Sequence, residues 1–165
     1  MKQLLLLTLI LLAGCRFHSA SDSPGDLKAG QSVRKARIWL ISIEGKQDGP
    51  KIGCGDSAVP VEVELPLDSP ALSGSLDALL DAGKRHEPAG FYNALAGSPL
   101  KVQRIDLSRG SARIDLTGYL EIGGECDSPR VLDQLTRTAT QFSDVKSAEF
   151  FLDGKPLRTL LSGKG

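Results

Sequence analysis

The chain has 165 residues, of which 41% are hydrophobic, 24% charged and 5% aromatic, and its 20 basic and 20 acidic residues give no net formal charge. Because neither sign of charge is concentrated along the chain and aromatic residues are few, the composition argues against a nucleic-acid-binding protein, and we expect no nucleic-acid partner. The length suits one domain with one hydrophobic core, once the N-terminal segments are set aside.

The first 14 residues have the three parts of a secretory signal peptide: a positive charge at Lys2, an apolar run over residues 4–12 and two small residues. The apolar run is about half of the ~20 residues that a membrane-spanning helix needs. Residues 12–15, LAGC, resemble the lipobox of bacterial lipoproteins. The resemblance implies that residues 1–14 are removed and that Cys15 becomes the acylated first residue. An ordinary signal peptide or a short membrane anchor is the alternative.

Residues 15–34 are predicted to be a lipidated, flexible tether. They contain Pro24 and Gly25, many small or charged residues and few apolar ones, so they cannot bury enough surface to offset the entropy of ordering. We expect the protein to be exported and held to a membrane by acyl chains, such as palmitate, on Cys15. Because Arg16 rather than Asp follows, the resemblance to lipoproteins implies the outer membrane, facing the periplasm, if the source has two membranes.

Arg34, Lys35 and Arg37 form a small basic cluster next to the tether. Such a cluster can contact anionic lipid headgroups. The simpler interpretation is the solvated beginning of a strand.

Two strands are predicted after the tether. Residues 36–44 are apolar and β-branched and contain the single tryptophan, which is typical of a buried strand. Residues 59–65 alternate apolar and polar side chains, which predicts a half-buried strand, and Pro60 suggests its beginning or an edge position.

Cys54 and Cys126 are the two cysteines that remain if Cys15 is acylated. In an oxidising compartment we expect them to form a disulfide, which would stabilise the fold by about 4 kcal/mol. Two free thiols or an incomplete metal site are the alternatives. A metal site needs further ligands at set spacing, and His18 and His86 have no patterned partners, so we expect no metal and no cofactor.

The first helix is predicted to begin at Ser69 and Pro70, with the serine as N-cap, and to end near Gly83. Its apolar face follows the helical period and consists of Leu72, Leu76, Leu79 and Leu80. Residues 91–95 are predicted to form a short helical turn that packs on the core.

A hairpin is predicted from residues 100–107 and 112–122, joined by a tight turn. The second strand alternates clearly, with Gly118 inside it. In the first strand the apolar positions change phase after Val102, which indicates a β-bulge.

A second helix is predicted to begin at residues 127–129, followed by a strand over 145–152, a turn at Asp153 and Gly154, and a short segment over 156–161. The apolar stripe of this helix is Val131, Leu132, Leu135, Ala139 and Phe142. The element order β-β-α-β-β-α-β therefore predicts a single α+β domain, a mixed sheet with two helices on one face, over residues 35–161.

Four segments together resemble the GerMN domain, a family named for sporulation and spore germination: residues 72–80, 100–116, 135–142 and 145–157. The most specific part is LTRTATQF at 135–142, then a strand and DGKPL at 153–157. The resemblance covers residues 36–160. It implies a small α/β unit similar to the ring-building motif of secretion-system proteins, in exported or lipid-anchored envelope proteins, some of which carry cell-wall amidase modules. Sporulation members often carry two copies, whereas this chain shows no internal repeat and looks like a branch outside sporulation.

The sequence offers little for catalysis, and we predict no catalytic residues. His86 lies in a charged loop and is interpreted as a surface residue. Asp106 and Asp115 could form an acid–base pair across the hairpin, but each lies two residues after an arginine and alternates with core positions, so both are expected to face outward. The glycines at 53–55 and 123–124 lack the other residues of a phosphate-binding loop.

These observations predict a non-enzymatic, lipid-anchored envelope protein whose GerMN-like domain binds or assembles with other proteins, including copies of itself. The alternative is a peptidoglycan-binding protein or an accessory factor that regulates a cell-wall amidase. The resemblance implies no catalytic residue in this chain. The predicted partners are the membrane, envelope proteins and peptidoglycan.

Overall fold

The computed structural model of the protein describes residues 32–86 and 89–163. The predicted signal peptide, Cys15 and nearly all of the predicted tether lie outside these residues. In the described part no helix is long and apolar enough to cross a membrane. The strands and helices are β1 Val33–Ser42, β2 Ser57–Pro66, α1 Ala71–Asp81, β3 Arg85–His86, β4 Phe91–Tyr92, β5 Lys101–Ser108, β6 Ser111–Thr117, α2 Asp127–Thr140, β7 Ser147–Leu152, β8 Lys155–Pro156 and α3 Leu157–Ser162. Two short 3-10 turns, Ile43–Gly45 and Gly53–Gly55, lie between β1 and β2.

The predicted α+β class is confirmed, and the strands divide into two four-stranded sheets where the sequence suggested one. The first sheet has the order β2-β1-β4-β3 and is antiparallel. The second has the order β5-β6-β7-β8, in which β6 and β7 are parallel and are connected through α2. On its second edge β1 pairs with a strand only at Ile41, and a helix covers that edge at Arg37 and Trp39, so β1 stays apart from the second sheet.

Helix α2 supplies that cover through polar side chains. The backbone N–H of Trp39 donates to Thr138 Oγ1 at 3.1 Å, and Gln134 Nε2 donates to the Trp39 carbonyl at 2.9 Å. One turn further along, Gln141 accepts from the Arg37 N–H at 3.0 Å and donates to the Arg37 carbonyl at 2.6 Å. The helical spacing of these three side chains therefore matches the edge of β1 and satisfies its backbone groups.

The opposite stripe of α2 is apolar and forms the centre of the core. Val131, Leu135 and Ala139 are fully buried and belong to one cluster with residues of both sheets. The predicted apolar stripe is thus confirmed at these positions, while Leu132 and Phe142 are only partly buried against the cluster. Helix α2 therefore joins the two sheets, with one polar and one apolar face.

The segment predicted as a helical turn begins as a strand instead, which corrects the prediction. Phe91 and Tyr92 form β4, which pairs with β3 and with Ile41 of β1. The next residue, Asn93, is 1% exposed and donates to the carbonyls of Leu79 and Ala82 at 3.0 and 2.8 Å. Its side chain therefore closes the end of α1, which explains why the chain turns away from strand pairing here.

Two further details of the predicted elements, the cap of α1 and the end of β6, differ from the prediction, and one, the bulge in β5, agrees with it. Helix α1 begins at Ala71 with Pro70 as its N-cap residue and without a side-chain cap, so the predicted Ser69 N-cap is wrong. The predicted bulge is confirmed as a register shift between Val102 and Arg104. Strand β6 ends at Thr117 because Gly118 has φ +115°, and a Cβ there would lie 2.1 Å from a backbone oxygen.

Candidate functional site

The cysteines predicted to pair are bonded in the structure. Cys54 and Cys126 have a Cα–Cα distance of 5.9 Å and close a loop of 72 residues. Cys54 lies in the 3-10 turn Gly53–Gly55 with φ +63°, and Cys126 immediately precedes α2. The bond therefore holds this turn against the first turn of α2. The predicted lipidation residue, Cys15, lies outside the described residues.

Four polar side chains form a cluster beside the disulfide, and no sequence pattern marks them as site residues. Arg130 donates to Asp56 Oδ2 at 2.7 Å and to Asp127 Oδ1 at 3.0 Å. The side chains of Arg130, Asp56 and Asp127 are 15%, 1% and 6% exposed. Tyr92 completes the cluster, since its hydroxyl donates to both oxygens of Asp127 at 3.1 Å. We call these four residues the Arg130 cluster.

The environment of the Arg130 cluster favours the protonated forms of the Tyr92 phenol and the Arg130 guanidinium. Burial, followed by the charge of Asp127, raises the pKa of the Tyr92 phenol. Burial alone would lower the pKa of the Arg130 guanidinium, but its hydrogen bonds to the two carboxylates hold that pKa above the usual value. Both carboxylates also accept backbone N–H groups, Asp56 from Glu44 at 2.9 Å and Asp127 from Gly123 at 3.0 Å. The cluster therefore ties three loops to α2, with its carboxylates occupied.

We expect the cluster to make folding sensitive to alkaline pH. Between the usual phenol pKa of about 10 and the raised pKa of Tyr92, the unfolded chain has lost a proton that the folded chain keeps. The free energy of unfolding should therefore fall as the pH rises through this window. Urea denaturation from about pH 9 to 11 measures the effect, which Tyr92→Phe should reduce and Tyr119→Phe, at an exposed tyrosine, should not. Equal slopes for wild type and Tyr92→Phe would contradict this expectation.

The two carboxylates considered for acid–base chemistry are not brought together as a pair. In the hairpin register Asp106 lies opposite Arg113, and Asp115 lies opposite Arg104. Each carboxylate also forms an ion pair with the arginine two residues before it, at 2.9 and 2.8 Å. Both aspartates therefore belong to a charged strand surface. His86 lies half-buried in β3.

The remaining sequence candidates have structural contacts. Arg34 donates to the carbonyls of Leu67 and Ser69, and Lys35 forms an ion pair with Glu62 at 2.7 Å. These contacts favour the strand interpretation of the basic cluster over headgroup binding. Within residues 32–86 and 89–163 there is no group of three or more His, Cys, Asp or Glu side chains placed to hold a metal ion.

A groove runs between α2, α3 and the free side of β7. Its main hollow has a volume of about 400 Å³ and is lined among others by Leu132, Thr136, Ala148, Phe150, Pro156 and Thr159. A second hollow of about 370 Å³ shares Leu132, Thr136 and Arg158 with it and reaches the loop at Lys51. The two hollows therefore adjoin along these three shared residues, and we call them together the β7 groove.

The edge of β7 beside this groove is open. Strand β8 pairs only with Phe151 and Leu152. The N–H groups of Ser147 and Asp153 donate toward β6 and its turn, each at 3.1 Å, so odd-numbered residues of β7 face β6. By the alternation of a strand, Ala148 and Phe150 direct their backbone groups away from β6. No strand of the described chain pairs with this part of β7.

A family model described as "Sporulation and spore germination", named Germane, matches residues 43–158. The chain belongs to the Germane family. This confirms the resemblance to the GerMN domain. The match includes the disulfide, the Arg130 cluster and most of the β7 groove, so all of these belong to the Germane domain itself.

Two solved structures from Bacillus subtilis have the same fold as this Germane domain. The tandem GerMN domains of the sporulation protein GerM have a TM-score of 0.56 at 14% identity, covering 75% of this chain and 40% of that chain. The first GerMN domain of GerM has a TM-score of 0.56 at 19% identity, covering 74% of this chain and 85% of that chain. This chain therefore spans 40% of the tandem structure's length. Among curated proteins, none matches the sequence.

Proposed function

We propose that the protein is a non-enzymatic, lipid-anchored cell-envelope protein whose Germane domain binds another envelope protein through the β7 groove. The observation that carries the proposal is the open edge of β7 beside an apolar depression of about 400 Å³. Unpaired strand edges are templates for association, and proteins usually protect them. The proposal agrees with membership of a family described as "Sporulation and spore germination".

The anchor is the second part of the proposal, and it rests on the lipobox-like residues 12–15. We expect a palmitate label to be incorporated into wild type and to be absent from Cys15→Ser. In detergent phase partition, we also expect wild type to be recovered in the detergent phase through its acyl chains and the Cys15→Ser protein not to be. Ser19→Ala, in the same tether, serves as the control and should behave as wild type. A Cys15→Ser protein that still carries the label would refute the anchor.

Binding through the β7 groove is tested by crosslinking in the native envelope, followed by capture and mass spectrometry. Thr136 lines both hollows and is only half-buried. We expect Thr136→Arg to fill the groove and to reduce recovery of the principal crosslinked protein about tenfold, which corresponds to about 1.4 kcal/mol of binding free energy. Thr117→Arg, at a half-buried threonine away from the groove, should leave recovery unchanged.

Two outcomes of the crosslinking experiment contradict the proposal. If Thr136→Arg captures the same proteins in the same amount, the groove is not the binding surface. If the wild-type protein is crosslinked only to peptidoglycan and co-sediments with purified wall, the protein-binding function fails and wall binding replaces it. Crosslinks chiefly to a second copy, lost in Thr136→Arg, identify the partner as the protein itself.

A further inference from the structure

We infer that the β7 groove receives an extended, acidic segment of the partner, which adds to the second sheet as a strand on the edge of β7. This inference rests on the proposed protein-binding function and specifies the chemistry of the partner. Three features of the described residues lead to it: free backbone groups, an apolar floor and an uncompensated positive charge.

The backbone groups determine the conformation of the ligand. Ala148 and Phe150 each present an N–H and a C=O along the free side of β7. A partner satisfies such groups in extended conformation, as in the recognition mode in which a peptide is added to a sheet edge. The chain enters α3 at Leu157, directly after Pro156, so the pairing of β8 with β7 ends at Phe151. The hairpin therefore stops short and leaves these groups available.

The floor of the groove determines which side chains the segment carries. Leu132 is partly buried against the core, and Ala148 and Pro156 contribute further apolar surface beside it. Alternate side chains of an added strand point to one face of the sheet. A segment with apolar residues at every second position therefore fits the floor.

The charges around the groove determine the sign of the ligand. Arg158 is exposed on α3 and lines both hollows, and Lys51 is exposed at the far end of the second. Neither forms an ion pair within the described part of the chain. Of the acidic residues at the groove, Asp133 is already bound to Arg137 at 2.7 Å. Glu149 also lines the main hollow and lies opposite Arg113 in the register of β6 and β7, but Arg158 and Lys51 outnumber it. The groove therefore complements a carboxylate near Arg158.

The test uses a phage-displayed library of random dodecapeptides and the full chain purified in detergent. Peptides are selected on the wild-type chain and counter-selected on the Thr136→Arg chain. We expect the enriched peptides to be acidic, with alternating apolar residues. Arg158→Glu should weaken their binding at least tenfold, whereas Lys101→Glu, a matched charge reversal at an exposed lysine on β5, should leave it unchanged.

Two further measurements test the added strand itself. N-methylation of alternate amides in a selected peptide should weaken binding at least tenfold for one register and little for the other. Bound peptide should slow the amide hydrogen exchange of Ala148 and Phe150. The inference is overturned if no peptide is enriched over Thr136→Arg, if Arg158→Glu has no effect, or if these two amides remain unprotected.

The outcomes also separate this inference from the proposed function. Loss of crosslinked protein in Thr136→Arg without any acidic peptide ligand retains the binding function and overturns the added-strand inference. If, instead, Thr136→Arg abolishes a concentration-dependent dimer and no peptide binds, the occupant is a second copy and the inference also fails. When neither crosslinking nor peptide selection responds to Thr136→Arg, both proposals fail.

Discussion

Replacing Arg130 by leucine is expected to lower the free energy of unfolding by about 3–5 kcal/mol. The substitution removes the cation between Asp56 and Asp127, whose side chains are only 1% and 6% exposed. Two carboxylates would then remain buried without a positive partner, which costs far more than loss of an exposed ion pair. Urea denaturation at neutral pH, followed by far-UV circular dichroism, measures the change.

Two controls identify the cause of that loss. Arg137→Leu breaks a more exposed pair, Arg137 with Asp133, whose side chains are 30% and 20% exposed, and should cost about 1 kcal/mol or less. Adding Asp56→Asn and Asp127→Asn to Arg130→Leu removes the buried charges and should restore part of the stability. If Arg130→Leu costs no more than Arg137→Leu, the cluster does not hold the fold in the way its burial indicates.

Replacing Cys54 and Cys126 together by serine is expected to cost about 4 kcal/mol of unfolding free energy. The bond closes a loop of 72 residues, so its removal increases the conformational freedom of the unfolded chain. It also releases the 3-10 turn Gly53–Gly55 from the first turn of α2. Denaturation of both proteins, with and without a thiol reductant, measures this contribution.

The reductant supplies the internal control for the disulfide. It should lower the stability of wild type to that of the double variant and should leave the double variant unchanged. A double variant within 1 kcal/mol of wild type would refute the prediction. Because the disulfide and the Arg130 cluster hold the same turn onto α2, we expect their effects to be less than additive when combined.

The Arg130 cluster could have been suspected from the sequence only through the cysteines. Asp56 follows Cys54 by two residues, and Asp127 follows Cys126 directly. A predicted disulfide therefore brings two carboxylates together and requires a cation nearby. Nothing local selects Arg130 over the other arginines, since its partnership with Asp56 spans 74 residues of chain.

Local periodicity in the sequence is sufficient to predict the longer strands and helices. The alternation in β2, the bulge in β5 and the apolar stripe of α2 all follow from side chains that repeat at the period of their own element. The two-residue strand β4 was missed because Phe91 and Tyr92 are too few to show a period, and only pairing with β1 and β3 makes them a strand.

The sequence by itself determined the α+β class, the family, the order of the main elements and which cysteines could pair, because each depends on local patterns or on a short specific motif. Only the tertiary structure decided that the strands form two sheets and that β7 keeps an open edge beside a groove. Both depend on which chain segment forms hydrogen bonds with each free strand edge. Polar side chains of α2 bind the free edge of β1 at Arg37 and Trp39, while β8 ends before it covers Ala148 and Phe150. These pairings depend on hydrogen bonds between residues distant in sequence, so no local periodicity of the sequence indicates them.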